Sequence, residues 1–236
     1  MLDLFADLPN VANAAATEVD LQQAVAEVEA RGRRVFAAVV DVRDRAAMAE
    51  AIETGVAQLR GLDVVVANAA VMVAGAWDEM TEDVWDQTID TNLKGVWNTV
   101  SLAAQHLIER GGGSMILVSS AAGLKGLPFL TAYVASKHAV VGLMRGFAVE
   151  LAQHSIRVNS LHPAGVDTPM GMADRSQTLM PLIEKNPELG PLLKNPLPVE
   201  ITQPDDQSNA VLFLASDESS FVTASTFTVD AGNTQV

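Results

Sequence analysis

The chain has 236 residues, of which 49% are hydrophobic and 19% charged, as is typical of a folded globular protein with one sizeable core. Its net charge of −14 repels phosphate backbones and argues against a nucleic-acid partner. No apolar run reaches the roughly 18 residues of a membrane span. The absence of cysteine excludes disulfides and fits a cytoplasmic location. The histidines are too scattered for a metal site.

Short β-branched runs alternate with longer helical patterns, which predicts a parallel α/β sheet in a single domain spanning residues 1–236. In chain order, the predicted strands are the opening MLDLF and residues 35–40, 63–67, 114–118, 156–161 and 225–229. The predicted helices are residues 19–30, 44–59, 81–110 with one break, 131–154 and 204–214. Residues 166–198 are rich in proline and lack a strong period, which predicts a mobile lid with short helices.

The amino-terminal segment departs from the usual pattern of a nucleotide-binding sheet. Such sheets open with a strand, a G-x-G-x-x-G-like turn and a helix, and this sequence contains no such motif. The early glycines are Gly32, which suits a helix C-cap, and the isolated Gly55 and Gly61. We therefore expect a doubly wound sheet truncated at its amino terminus, without the first strand, the glycine-rich turn and the first helix.

Tyr133 and Lys137 form a Y-x-x-x-K motif at the start of a predicted helix. The spacing places the phenol and the ammonium on one helix face. A free phenol titrates near 10, and a cation within about 4–6 Å lowers that pKa, so the pair can give or take a proton at a substrate oxygen. Most such pairs are ordinary helix surface. The motif gains weight because Tyr133 is the only tyrosine in the chain.

Two further polar residues stand where they suit the same site. Ser120 follows a predicted strand at its carboxyl end, where ligands of open α/β sheets bind, and its hydroxyl could hold a substrate oxygen beside Tyr133. The alternative is a cap or turn serine. Asn92 lies inside a predicted helix, where asparagine is a poor helix former. Its amide could anchor a water that relays protons, or the residue could be structural.

Together these residues resemble the short-chain dehydrogenase/reductase family, without that family's first segment. The resemblance implies a Rossmann-like fold and the catalytic set Asn92, Ser120, Tyr133 and Lys137. It also implies an adenine contact after the family's third strand, which is the strand predicted here at residues 35–40. It further implies an Asn-Ala-Gly-like motif with alanine in place of glycine, and a loop over the nicotinamide. The implied cofactor-binding residues are Asp41, Val42, Asn68, Ala69, Ala70, Tyr133, Lys137, Pro163, Gly165, Val166 and Thr168.

The resemblance implies hydride transfer between a secondary alcohol or ketone and a nicotinamide cofactor. Asp3, at the end of the first predicted strand, would accept both hydroxyls of the adenosine ribose. Its charge would repel a 2′-phosphate, which favours NAD over NADP; a frayed terminal aspartate is the alternative. The apolar composition of the lid suggests a small apolar substrate. Assembly into a homodimer or homotetramer is expected from the family's usual helical faces.

A narrower resemblance points to the mycofactocin-associated branch, related to carveol dehydrogenase. It rests on residues 21–34 (LQQAVAEVEARGRR) after an insertion at residues 4–20, and on residues 165–170 (GVDTPM) and 209–218 (NAVLFLASDE). The branch implies tightly held NAD and mycofactocin as external electron acceptor. An ordinary loop insertion is the alternative explanation for the amino-terminal stretch.

Three explanations of the unusual start remain open: a misplaced translation start, a sequence that lacks its beginning, and a protein that is truly this short. In the last case we expect very weak NAD binding. The strand at residues 35–40 is then expected to pair directly with the strand at residues 63–67. A second functional class also stays open, in which the chain is a non-catalytic relative that acts as an oligomer subunit or interaction partner.

Overall fold

A computed structural model describes residues 1–236, apart from the side chains of residues 174 and 175. Strands and helices alternate along the chain, as the sequence predicts. The strands are β1 Leu2–Asp3, β2 Ala38–Val39, β3 Val64–Ala67, β4 Gly113–Val118, β5 Ile156–Pro163 and β6 Thr226–Val229. The helices are α1 Glu18–Ala30, α2 Arg45–Leu59, α3 Glu82–Ile89, α4 Gly95–Arg110, α5 Thr131–Leu151, α6 Pro169–Asp174, α7 Met180–Lys185 and α8 Pro204–Ala215.

The main sheet is parallel and has the strand order β3-β4-β5-β6. Gly113 at the start of β4 pairs with Ile156 at the start of β5, so the strands end at the same edge. Helices α4 and α5 pack on one face, and α8 packs on the other. Burial on both faces explains why these strands are continuous apolar runs in the sequence. The predicted doubly wound α/β fold is confirmed.

The long helix predicted over residues 81–110 does contain one break. Between α3 and α4 the backbone forms a π-helical turn, Asp90–Lys94, that carries the fully buried Asn92. Such turns are rare and are frequently found at functional sites. The helix continues on both sides, so the turn changes the direction of side chains without ending the element.

Strands β1 and β2 form a separate two-stranded parallel sheet. Leu2 pairs with Ala38, and the ladder continues with a bond from the amide of Val40 to the carbonyl of Asp3 at 2.8 Å. The prediction that residues 35–40 pair directly with residues 63–67 is therefore wrong. The opening residues occupy the edge of β2 instead, and only Ala38–Val39 of the predicted strand pairs.

Residues 166–198 contain α6, α7 and the 3₁₀-helix Pro187–Leu193, so the predicted short helices are confirmed. Leu179 and Ile183 from this segment pack with Tyr133 in one apolar cluster. The segment therefore forms part of the wall around Tyr133. Its mobility stays a prediction.

No helix in the described residues combines the length and the apolar character needed to cross a membrane.

The turn after β4 approaches α5 so closely that only glycine fits there. Gly123 ends the 3₁₀ turn Ala121–Gly123, and a Cβ added to it would lie 2.8 Å from the Lys137 carbonyl oxygen. It would lie closer still to the Ser119 hydroxyl, which donates to the same carbonyl at 2.9 Å. This contact sets the distance between the end of β4 and the second turn of α5.

We expect Gly123→Ala to lower the free energy of unfolding by about 1–3 kcal/mol, because the added methyl meets backbone that cannot rotate away. The matched control is Gly146→Ala in α5, where an added Cβ meets nothing within 4 Å. There we expect a gain of about 0.5–1 kcal/mol, since alanine is the better helix former. Denaturant unfolding measures both, and a neutral effect at Gly123 would contradict the close-approach argument.

Candidate active site

The carboxyl edge of the main sheet brings Ser120, Tyr133 and Lys137 to one cavity of about 890 Å³. Ser120 follows β4 and caps the 3₁₀ turn, where its hydroxyl accepts from the amide of Ala122 at 3.1 Å. Tyr133 and Lys137 lie in the first two turns of α5. Since parallel strands end at one edge, the loops and helix starts that follow them meet there.

The Lys137 ammonium is held deep inside this cavity. Lys137 is 2% exposed, and its Nζ donates to the Val118 carbonyl at 2.9 Å. Nζ also lies 5.5 Å from the centroid of the Tyr133 ring. An ammonium has three hydrogens to donate, so the bond to Val118 leaves donor capacity for a ligand in the cavity.

Burial dominates the acid–base behaviour of the pair. Burial raises the pKa of Tyr133, and a hydrogen bond with the Ser120 hydroxyl opposes part of that rise. Burial lowers the pKa of Lys137 to about 8. The predicted lowering of the Tyr133 pKa by Lys137 stays a prediction; the desolvation of the phenol sets the net direction in this structure.

Asn92 lies beside the site, but its amide is committed to the protein. Its Oδ1 accepts from the amide of Val71 at 2.8 Å, and Nδ2 donates to the Val71 carbonyl at 2.8 Å and to the Ser136 hydroxyl at 3.1 Å. Ser136 in turn donates to the Tyr133 carbonyl at 2.8 Å. Both amide hydrogens of Asn92 are thus used, whereas Oδ1 keeps one lone pair, so the anchoring of a relay water by this residue stays a prediction.

Most of the cofactor-binding residues implied by the resemblance line the same cavity, but the adenine pair does not. Asp41 is instead bound by the Arg43 guanidinium at 2.6 Å, which holds the pKa of that carboxyl below its usual range. The Val42 carbonyl accepts from the Asn98 amide at 2.8 Å. The cavity-lining residues among those implied are Asn68, Ala69, Ala70, Tyr133, Lys137, Pro163, Gly165, Val166 and Thr168.

Asp3 also lines the cavity, at the carboxyl end of β1. Its Oδ1 accepts one long bond, 3.3 Å, from the amide of Phe5, so the carboxylate keeps acceptor capacity. Sequence reasoning missed the neighbouring Asp20 and residues 13–16, which line the same cavity. The signal for their position was the Thr17-x-x-Asp20 capping box, which starts α1 and places its first turn beside β1.

Among the residues whose side chains the structure describes, no group of three or more His, Asp or Glu residues is placed to hold a metal ion. The titratable groups that line the catalytic end of the cavity are Tyr133 and Lys137. The arrangement combines a proton donor or acceptor, a cation and a hydroxyl at one position, as proton transfer at an alcohol or carbonyl oxygen requires.

Residues 3–179 match the short chain dehydrogenase family. The chain belongs to this family. Its members are oxidoreductases, and the α/β fold described above is the one that the resemblance implied. The catalytic roles of Ser120, Tyr133 and Lys137 stay predictions.

Solved short-chain dehydrogenases share the whole fold of the chain. A Mycobacterium paratuberculosis short chain dehydrogenase bound to NAD is 47% identical to this chain. The two superpose with a TM-score of 0.97, and the match covers 100% of this chain and 88% of the other. Carveol dehydrogenase from Mycobacterium avium in complex with NAD is 42% identical with a TM-score of 0.93, over 100% of this chain and 87% of its own. Among curated relatives, (-)-trans-carveol dehydrogenase of Rhodococcus erythropolis is 39% identical, over 99% of this chain and 87% of that protein.

The buried charge of Lys137 should reduce stability at neutral pH. Its folded pKa of about 8 lies below the unfolded value of 10.5, so the folded protein binds fewer protons between those pH values. Stability therefore rises with pH across that window. We expect Lys137→Met to raise the free energy of unfolding at pH 7 by about 1–2 kcal/mol. Removing the buried charge contributes about 3 kcal/mol, and the loss of the bond to Val118 offsets part of that gain.

The difference between Lys137→Met and the parent chain should shrink as the pH rises from 8 to 10.5, because the parent lysine then loses its charge. Urea unfolding across this range measures the difference in the free energy of unfolding. A difference that is constant with pH would show that Lys137 does not titrate in the folded state as its burial requires.

Proposed function

We propose that the chain is an NAD-dependent dehydrogenase that oxidises a secondary alcohol or reduces the corresponding ketone. The observation that carries the proposal is the meeting of the Tyr133 phenol, the Lys137 ammonium and the Ser120 hydroxyl in one cavity at the carboxyl edge of the sheet. This combination matches proton transfer at a substrate oxygen. The NAD complexes of the two solved relatives support the choice of cofactor.

The residues around the cavity fit a nicotinamide nucleotide. Lys137 is buried with donor capacity left over, which suits the hydroxyls of a ribose. Thr168 accepts from the Gly171 amide at 3.1 Å and makes only a long bond, 3.5 Å, to the Val166 carbonyl, so its hydroxyl proton is available to a carboxamide. Asn68, Ala69, Ala70, Pro163, Gly165 and Val166 complete the cofactor-facing wall.

At the far end of the cavity Asp3 would hold the hydroxyls of the adenosine ribose. A carboxylate there accepts two hydrogen bonds and repels a 2′-phosphate, which favours NAD over NADP. Asp20, on the first turn of α1, adds a second negative charge to the same lining. The adenine contact first assigned to Asp41 would require its salt bridge with Arg43 to open.

In this mechanism Tyr133 accepts the proton of the alcohol, or donates it to the ketone. Ser120 holds the substrate oxygen, and its hydrogen bond opposes the rise that burial causes in the pKa of Tyr133. Lys137 supplies positive charge next to the phenol, which favours the phenolate formed when the proton has left. Bound NAD would supply the hydride acceptor. Asn92 acts through the Val71 backbone and Ser136, and so positions α5 against the loop after β3.

The substrate end of the cavity is apolar. Its walls come from the loop after β3, the loop before α5 and the lid, and a small apolar alcohol such as a terpenoid suits them. The residues concerned are Met72, Leu127, Leu130, Leu179, Met180 and Leu193. Similarity to two carveol dehydrogenases supports this class of substrate. We extend the proposal to mycofactocin as external electron acceptor and to a cytoplasmic location, both of which stay predictions.

A second candidate is a subunit without catalytic turnover. It is favoured by the separate β1-β2 sheet and by large apolar side chains left exposed on the helices of one face. Val149 on α5 is 78% exposed and Trp97 on α4 is 40% exposed, as suits a homodimer or homotetramer contact. Light scattering of the purified chain measures its assembly, and nicotinamide absorbance in the same preparation distinguishes an enzyme from a cofactor-free subunit.

We expect a protein of residues 1–236 alone to bind NAD weakly, because the sequence lacks the glycine-rich turn whose amides bind a pyrophosphate. The comparison is an extended protein, in which a strand, a glycine-rich turn and a helix of the kind that opens nucleotide-binding sheets precede Met1. Calorimetric titration should show at least about a hundredfold gain in NAD affinity on extension. In the extended protein, Asp3→Ser should narrow the preference for NAD over NADP. Tight NAD binding by residues 1–236 would contradict the first expectation.

In the extended protein, Tyr133→Phe should lower turnover of (-)-trans-carveol with NAD by about a hundredfold or more, because the proton acceptor is removed. The ring stays in place, so the affinity for NAD and the unfolding midpoint serve as controls for folding. Formation of reduced nicotinamide, followed by its absorbance, measures turnover. Survival of turnover within about tenfold would refute the role of Tyr133.

A further inference from the structure

His162 is a fully buried histidine at the edge of the sheet that carries the candidate active site. It is 0% exposed and stands next to Pro163 at the end of β5. Its Nδ1 lies 2.8 Å from the Ser120 carbonyl oxygen, and its Nε2 lies 2.8 Å from the Ser160 hydroxyl. None of the roles derived above uses this side chain, although it touches the residue proposed to hold the substrate.

The hydrogen-bond partners of the ring fix its tautomer. A carbonyl oxygen can only accept, so Nδ1 must carry the hydrogen that is donated to Ser120. A neutral imidazole has one such hydrogen, so Nε2 accepts from the Ser160 hydroxyl. Burial lowers the pKa of His162 and so favours the neutral ring.

The charged groups around His162 act in both directions. Lys137 and His138 on α5 lower the pKa of its ring further, whereas Asp230, just after β6, raises it, as does the bond to the Ser120 carbonyl. Burial has the largest effect. The ring therefore remains neutral at physiological pH, with Nδ1 as the donor.

The ring supplies a cross-strand donor that the backbone cannot. The ladder between β4 and β5 reaches the amide of Ser119, which donates to the Leu161 carbonyl at 2.8 Å. Pro163 has no amide hydrogen, so the backbone of β5 cannot donate to the chain after β4 at that position. The His162 side chain donates to Ser120 instead.

Consecutive residues of β5 thereby hold the carbonyl and the hydroxyl of Ser120. His162 donates to its carbonyl, and the Pro163 carbonyl lies 3.4 Å from its hydroxyl. The same Ser120 carbonyl also accepts from the Gly123 amide at 2.9 Å, so both lone pairs of that oxygen are used. The backbone of Ser120 is extended, with φ −170° and ψ 167°, a conformation that keeps its hydroxyl near Tyr133.

We propose that His162 is a positioning residue for Ser120: its Nδ1–H fixes the Ser120 carbonyl, and through it the direction of the hydroxyl that holds the substrate oxygen. This inference rests on the proposed dehydrogenase function, since it assigns Ser120 the substrate contact. It goes beyond that function because His162 touches neither the proton nor the cofactor.

Two substitutions separate positioning from mere filling of the core. The amide nitrogen of asparagine superposes on histidine Nδ1, so His162→Asn keeps the donor to Ser120. His162→Phe keeps an aromatic ring at this position and removes the donor. His154→Phe is the control, because His154 precedes β5 at the opposite edge of the sheet.

The first measurement is amide hydrogen exchange in the 236-residue chain, which needs no catalytic activity. In His162→Phe the Ala122 amide, which donates to the Ser120 hydroxyl, should exchange at least about tenfold faster. In His162→Asn and in His154→Phe it should remain within about threefold of the parent chain. Equal protection in all four proteins, or equal loss in both His162 variants, would overturn the proposal.

The second measurement is turnover of (-)-trans-carveol at saturating NAD. In His162→Phe we expect kcat to fall about tenfold or more with KM changed less than about threefold, because substrate still enters but its oxygen is misaligned. His162→Asn should recover most of kcat. A loss in KM alone, or no rescue by asparagine, would contradict positioning. Turnover is measured in the extended protein. If that protein has no turnover without these substitutions, the proposed function fails, and hydrogen exchange still decides the role of His162.

Discussion

A lysine ammonium buried at the edge of the main sheet constrains the whole site. Lys137 is 2% exposed, and its desolvation lowers its pKa to about 8. A cation is tolerated there only with close partners. The Val118 carbonyl and the Tyr133 ring provide these, and both belong to elements that end or begin at this edge. The protein thus holds a costly charge where its remaining hydrogens can serve a ligand, at the expense of stability.

The groups around Lys137 are fixed mainly by bonds from side chains to backbone. The Ser119 hydroxyl holds the Lys137 carbonyl, the His162 ring holds the Ser120 carbonyl, and the Asn92 amide joins α3 and α4 to the loop after β3. Each bond crosses between two elements that end at the same edge. These bonds fix the backbone around the Ser120 and Tyr133 hydroxyls and the Lys137 ammonium, which keeps the three groups in place for a ligand.

The sequence was sufficient to predict the fold class and the meeting of Ser120, Tyr133 and Lys137, because strand ends and helical spacing follow directly from the pattern of residues. It could not predict the pKa values and hydrogen-bond partners that depend on packing. The pKa of Tyr133 depends on burial, which spacing does not report. The side-chain amide of Asn92 is hydrogen-bonded to a backbone segment about twenty residues away in sequence. The carboxylate of Asp41 is paired with an arginine two residues on. A sequence motif predicts which side chains lie at the carboxyl edge of the sheet, but not which hydrogen-bond or ion-pair partners those side chains already have.

The residues of the candidate site come from two separate sheets. The catalytic groups follow the β4-β5 ladder, whereas Asp3 belongs to the two-residue β1-β2 ladder. That short ladder is marginal by itself. It is held to the rest of the protein through apolar packing of α2, with Val40 and Met48 in its core and Leu102 of α4 against it. Because β1 and β2 form a sheet separate from β3–β6, we expect a substitution there to change the proposed cofactor contact of Asp3 while Ser120, Tyr133 and Lys137 stay in place.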